Sequence, residues 1–232
     1  MGARWGSGQN QRVQTTLPSG TAAAVARPSD GRDPSRGLVI IPDVGGLRPL
    51  FTDMAQRIAD EQGWAVATFE PWADRDAGST IEERMAGVQQ LTDVRLLGDA
   101  AAAADALGVE PVGIMGFCMG GMYTLKAAGI GRFDRAVAFY GMVRVPDMWR
   151  SDGQGEPLDA LASPNASPTL AIIGTVDRWT PPDDVAALEA AGVSVVRYEG
   201  ADHGFVHDAD RPAHRAADAA DAWRRALTFL SP

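Results

Sequence analysis

One cysteine and three histidines are all the thiol and imidazole side chains that these 232 residues offer. A single thiol cannot close an internal disulfide, and no Cys/His cluster has zinc spacing. His203 and His207 stand four apart, yet Gly204 between them and the turn-like "EGADHG" before them argue against a helical metal pair. No stretch approaches the roughly 18 consecutive apolar residues of a membrane span. Met1–Asn10 holds no apolar signal-like segment, so the expected location is the cytoplasm. A net positive charge is also missing. The formal charge of −9 excludes non-specific attraction to nucleic acid or to an anionic membrane surface. No metal and no organic cofactor is called for, and composition sets no oligomeric state.

What is present reads as globular: 45% hydrophobic and 22% charged, with 26 glycines and 15 prolines spread through many tight turns. No repeat and no low-complexity linker divides the chain. "RPSDGRDPSRG" and the longer excursion 151–168 are polar, but neither separates two cores, so one domain over 1–232 is expected, with 1–11 as a mobile end. Apolar runs of strand length alternate with helical spacing. Strands are expected at "GLVIIP", "WAVATFEP", "PVGIMG", "RAVAFYG", "PTLAIIG" and "VSVVRYEG". Helices are expected from Leu50 to a stop at Gly63, over 81–107, over 119–128, after Thr180, and over 211–230. This alternation predicts an α/β fold: a mostly parallel central sheet with helices on both faces and the working loops at strand carboxyl ends.

Three such loops carry chemistry. "GFCMGG" places Cys118 between Gly116 and Gly120, the form of a nucleophile elbow with sulfur in place of oxygen. Small neighbours let the sharp strand-to-helix turn pack, and a helix N-terminus favours a thiolate and later an oxyanion. Cysteine is also a small hydrophobe that is often buried and inert. "GTVDRWTPP" sets Asp177 just past a strand, where it can orient an imidazole or merely cap a turn. "EGADHGF" sets His203 past the last strand, as a base or a surface histidine. Each is weak alone. Together, in the order nucleophile, acid, histidine, they form the arrangement of an α/β-hydrolase. Asp202 is a poor rival acid, being the chain neighbour of the histidine. "IPDVGG" follows the first strand, and the N–H groups of Val44 and Met119 are the expected oxyanion donors.

At these residues the chain resembles the dienelactone hydrolase family of α/β-hydrolases. The matching pieces are "VIIPDVGGLRPLFTDMAQRIADEQGWAVATFEPW", "VGIMGFCMGG", "RAVAFYG", "LAIIGTVDRWTPP" and "YEGADHGF", in family order from about Gly37 onward. The resemblance implies Cys118 as nucleophile, Asp177 as acid and His203 as base, hydrolysing a small-molecule ester or lactone. It also implies an acidic residue in the first loop that engages the resting cysteine. Asp43 stands there; its other reading is a cap for the helix near Leu47. The first of the family's two arginines for a substrate carboxylate corresponds to Arg75 or, in an equal alignment, to Asp74; the second corresponds to His207, and an imidazole cannot make a bidentate grip. Trp72, Tyr140, Trp179 and Phe205 fall near the loops and either line an apolar pocket or pack the core. The competing functional reading is a non-catalytic small-molecule-binding protein on a hydrolase scaffold.

Overall fold

A computed structural model describes residues 13–73 and 77–231. Its centre is an eight-stranded sheet. The strands are β1 Val13–Thr16, β2 Ala22–Ala26, β3 Gly37–Ile41, β4 Ala65–Phe69, β5 Val112–Phe117, β6 Ala136–Phe139, β7 Thr169–Gly174 and β8 Ser194–Tyr198. They lie in the order β1-β2-β4-β3-β5-β6-β7-β8, and from β4 through to β8 every neighbouring pair is parallel. Only β2 runs against the rest. Every residue of β3 to β7 is buried, which requires cover on both faces.

The six expected strands form within a residue or two of their predicted bounds. The first helix, α1 Pro49–Gln62, ends where expected, at Gly63 with φ 72°. The single helix expected over 81–107 is instead two, α2 Ile81–Gly87 and α3 Asp93–Leu107, separated by a 3-10 turn over Val88–Gln90. Thr80 and Glu83 form a reciprocal capping box that fixes the start at Ile81, as expected, and the break falls after Gly87, a poor helix former. Helix α4 spans Met119–Ala128 with every residue buried. The excursion 151–168 contains a short helix, α5 Pro157–Leu161. Helix α6 is Pro182–Ala190. The last helix, α7 Ala216–Leu230, starts five residues later than its spacing suggests, because Arg215 donates its N–H back to the Phe205 carbonyl and 211–215 remain in turns. The proposed mobile end, 1–11, lies outside the described residues.

Helix α4 also carries a buried ion pair. Lys126, 1% exposed, donates to Asp93 Oδ1 at 2.7 Å across to the first turn of α3, and its ammonium lies 4.7 Å from the centre of the Tyr123 ring. The other Asp93 oxygen accepts the Gly155 N–H at 2.7 Å, which ties the excursion to the core.

The strand order fixes where a site can form. β3 leads to β4 on one side and β5 lies on the other, so the connections diverge between β3 and β5. A crevice opens at such a switch point, outside the strand carboxyl ends. Register pairs Ile41 with Gly116, setting the 42–47 loop beside the turn after β5.

Candidate active site

Cys118 occupies that turn with φ 58° and ψ −120°, a conformation a side-chain-bearing residue rarely adopts. Its N–H donates to the Phe139 carbonyl at 3.1 Å. The turn closes tightly because two flanking residues lack side chains. A Cβ on Gly116 would stand 2.2 Å from the Gly120 carbonyl oxygen, and one on Gly120 would stand 2.2 Å from that of Ile41. The sulfur-bearing residue is 8% exposed at the head of α4.

The histidine loop reaches back over β7 and β6 to meet it. His203 Nδ1 lies 2.8 Å from Asp177 Oδ2, and the Asp177 side chain is wholly buried. The other Asp177 oxygen accepts the Trp179 N–H at 2.9 Å, fixing the carboxylate. Asp202 is spent on the backbone N–H of His203 and does not hold the ring. His203 Nε2 is buried and has no hydrogen-bond partner among the described residues. Cys118 and His203 line the same cavity. Burial alone would lower the imidazole pKa, but the neighbouring Cys118 sulfur and the Asp177 carboxylate outweigh it and raise it. Nucleophile–base contacts are often long in a resting site and tighten on substrate.

The first loop is rigidly held. Trp72 Nε1 donates to the Val44 carbonyl at 2.9 Å, Arg84 donates to the Gly45 carbonyl at 2.6 Å, and Glu70 Oε2 accepts the Leu47 N–H at 3.0 Å. Val44 lines the cavity that holds Cys118, and Met119 follows Cys118 as the first residue of α4, where a helix N–H has no partner within the helix.

Asp43 is also in this loop, and its carboxylate is saturated. Oδ1 accepts from the Gly45 N–H at 2.8 Å and Arg48 Nη1 at 2.6 Å. Oδ2 accepts from Arg48 Nη2 at 2.9 Å and His207 Nε2 at 2.8 Å. A carboxylate has about four acceptor positions, so none remains for a thiol. Desolvation would raise its pKa, but these donors hold it well below the usual carboxylate range. Nor does Asp43 cap α1, whose N-cap is Arg48 without a side-chain cap bond.

The expected substrate-binding residues divide. The cavity of about 880 Å³ is lined by Trp179, but not by Trp72, Tyr140, Phe205 or His207. Tyr140 and Phe205 are fully buried, and Trp72 is turned to the Val44 carbonyl. The His207 side chain is 0% exposed, because Tyr140 and Asp43 draw its two nitrogens inward. Arg75 lies outside the described residues. The cavity instead presents Arg48, Arg178 and Arg211. Arg178 and Arg211 make no ion pair with a described residue, and the Arg211 guanidinium packs so closely on Gly204 that a Cβ there would stand 2.7 Å from Nη1. Sequence spacing offered one usable hint: Arg48 is five residues from Asp43. Arg211 had none, since the turn that returns it to Gly204 has no local signature.

Comparisons with known proteins agree with this geometry. The family model described as the dienelactone hydrolase family matches residues 21–232. The "Probable 2-oxo-3-(5-oxofuran-2-ylidene)propanoate lactonase" of Bradyrhizobium sp is 30% identical over 225 residues, covering 90% of this chain and 88% of that one. The carboxymethylenebutenolidase of Pseudomonas putida is 26% identical over 222 residues, covering 88% and 89%. A crystal structure from Klebsiella pneumoniae subsp. pneumoniae, provisionally named a dienelactone hydrolase, superposes with a TM-score of 0.83 at 26% identity over 95% and 98% of the two chains. Sheet order, elbow and matched length converge: the chain belongs to the dienelactone hydrolase family and is an ester or lactone hydrolase.

Proposed function

We propose that this protein hydrolyses a small ester or lactone through Cys118, oriented and served by His203 and Asp177. The observation that carries the reading is the Cys118 turn facing, in one cavity, an imidazole fixed by Asp177 with its second nitrogen free. His203 Nε2 takes the thiol proton, and the thiolate attacks the carbonyl carbon. The oxyanion meets the N–H groups of Val44 and Met119, each worth roughly 3 kcal/mol in comparable sites. As the C–O bond breaks, His203 returns the proton to the leaving oxygen, which in a lactone stays on the acyl chain. Water then gives a proton to His203 and attacks the thioester. The carboxylic acid leaves and the thiolate is restored.

The cavity indicates the substrate's shape. Met142, Met148, Trp149 and Trp179 form an apolar wall, with Trp149 and Trp179 stacked at 5.9 Å. Arg178 and Arg211 stand at the same cavity unpaired among the described residues. An unsaturated or aromatic body with an acidic end fits that wall and those cations. No described helix is long and apolar enough to cross a membrane, and we place the enzyme in the cytoplasm as a single catalytic domain.

The test is kinetic. Hydrolysis of p-nitrophenyl acetate and of dienelactone is expected to be abolished by iodoacetamide and by Cys118→Ala. Most of the turnover surviving Cys118→Ala would sink the mechanism.

A further inference from the structure

The geometry points to a chain of side chains, buried from Tyr140 through His207 to Asp43 and ending at the part-exposed Arg48, in which His207 is a positioning residue that locks the oxyanion loop to the histidine loop. The inference rests on the hydrolytic reading above and assigns His207 a task other than touching substrate.

His207 cannot be a solvent-facing group. Its ring packs in a three-ring cluster against Phe51, 5.8 Å away and 23° from parallel, and Phe117, 4.9 Å away and 28° from parallel. Both nitrogens are engaged, with Tyr140 Oη 2.5 Å from Nδ1 and Asp43 Oδ2 2.8 Å from Nε2. These partners fix the tautomer. The Asp43 carboxylate is ionised and accepts only, so Nε2 carries the hydrogen. Nδ1 of a neutral ring is then an acceptor, and the Tyr140 phenol donates to it. Burial keeps that phenol protonated by pushing its pKa well up.

Each end of the chain is tied to a working part of the site. Asp43 directly precedes Val44, so holding the Asp43 carboxylate from both sides holds the peptide that presents the Val44 N–H. His207 is four residues from His203, and the Tyr140 ring meets the His203 ring edge-on at 5.1 Å. Tyr140 also has φ 39°, one of only two positive values outside glycine among the described residues; the other is Cys118. Strain of this kind persists where the surroundings over-determine it. Here it directs the phenol beneath both loops. The distance between oxyanion donor and base is thereby set by the Asp43–His207 hydrogen bond, which joins segments 164 residues apart in sequence and is steadied by Tyr140 at one end and Arg48 at the other.

A merely space-filling His207 makes a different prediction, because one thiol can be probed by two reactions. Ester hydrolysis needs the oxyanion donors. Alkylation of Cys118 by iodoacetamide is a displacement that forms no oxyanion. In His207→Leu, which keeps bulk and loses both bonds, kcat for p-nitrophenyl acetate is expected to fall about 30-fold, part of the loss of a whole donor. KM and the alkylation rate are expected to stay within about threefold of the parent. His207→Gln, with a donor and an acceptor, is expected to recover most of the kcat. A His207→Leu kcat within threefold of the parent, or an alkylation rate that falls by the same factor as kcat, overturns the inference. Should His207→Leu fail to fold, Tyr140→Phe removes a single hydroxyl: kcat about fivefold lower with alkylation unchanged supports the chain, and an unchanged kcat overturns it. Parent turnover that survives Cys118→Ala overturns the hydrolytic reading and this one together. Cysteine-dependent turnover with an indifferent His207→Leu overturns this one alone.

Discussion

Gly120 is where one methyl group separates catalysis from folding. It is the second residue of α4, and the space its side chain would fill holds the carbonyl oxygens of Ile41 and Pro42, at 2.2 Å and 2.3 Å from an ideal Cβ. Ordinary contact begins at 3.4 Å, and neither oxygen is the end of a flexible side chain. In Gly120→Ala the head of α4 and the end of β3 must therefore part by about 1 Å. Those two backbones carry the N–H groups of Met119 and Val44, the proposed oxyanion donors. Overpacking of this kind costs about 1–3 kcal/mol of stability, which a chain of this size survives with a melting point several degrees lower. Misplacing a catalytic group by about 1 Å costs roughly 100-fold in rate. The expected variant is folded, binds ester with little change in KM, and turns it over about 100-fold more slowly. Stopped-assay kinetics with p-nitrophenyl acetate, alongside circular dichroism and a thermal melt, measure all three. A folded Gly120→Ala protein with kcat within threefold of the parent would refute the claim that this contact sets the oxyanion geometry.

Two further outcomes concern stability. Asp93→Ala removes the partner of a nearly inaccessible ammonium and is expected to cost about 3 kcal/mol or more in urea unfolding, whereas Lys126→Met leaves a carboxylate that is 20% exposed and still bonded to Gly155, and is expected to cost clearly less; equal losses would contradict the asymmetry. The folded Asp43 pKa lies below its ordinary value of 3.8, so its stabilising contribution is complete above about pH 4 and drains away as pH falls further; acid titration of Asp43→Asn is expected to show a shallower loss over that range than the parent.

The parts of the site that the sequence displays are those made by short, local geometry. The elbow is contained in "GFCMGG", and the acid and the histidine each follow a strand whose apolar run is unmistakable. What escaped depends on chain segments meeting across the fold. Strand β2 reads "AAAVA", which by intrinsic propensity favours helix, and it is a strand because β4 and β1 supply antiparallel partners. His207 occupied a position that suggested substrate contact, but the inward turn of its ring is decided by Tyr140 and Asp43, which no spacing places near it. Trp72 and Phe205 followed the same logic: aromatic residues near catalytic loops serve those loops from behind as readily as from the cavity side.

The buried pair on α4 has a practical corollary. Lys126 is the only lysine in the 232 residues, and 1% of its side chain is accessible. An acylating dye that seeks side-chain amines has no target on the folded surface of the described residues. Its attachment at Lys126 must wait until α4 separates from α3, so the rate of labelling there is a clock for opening of the core, read by mass at a single residue.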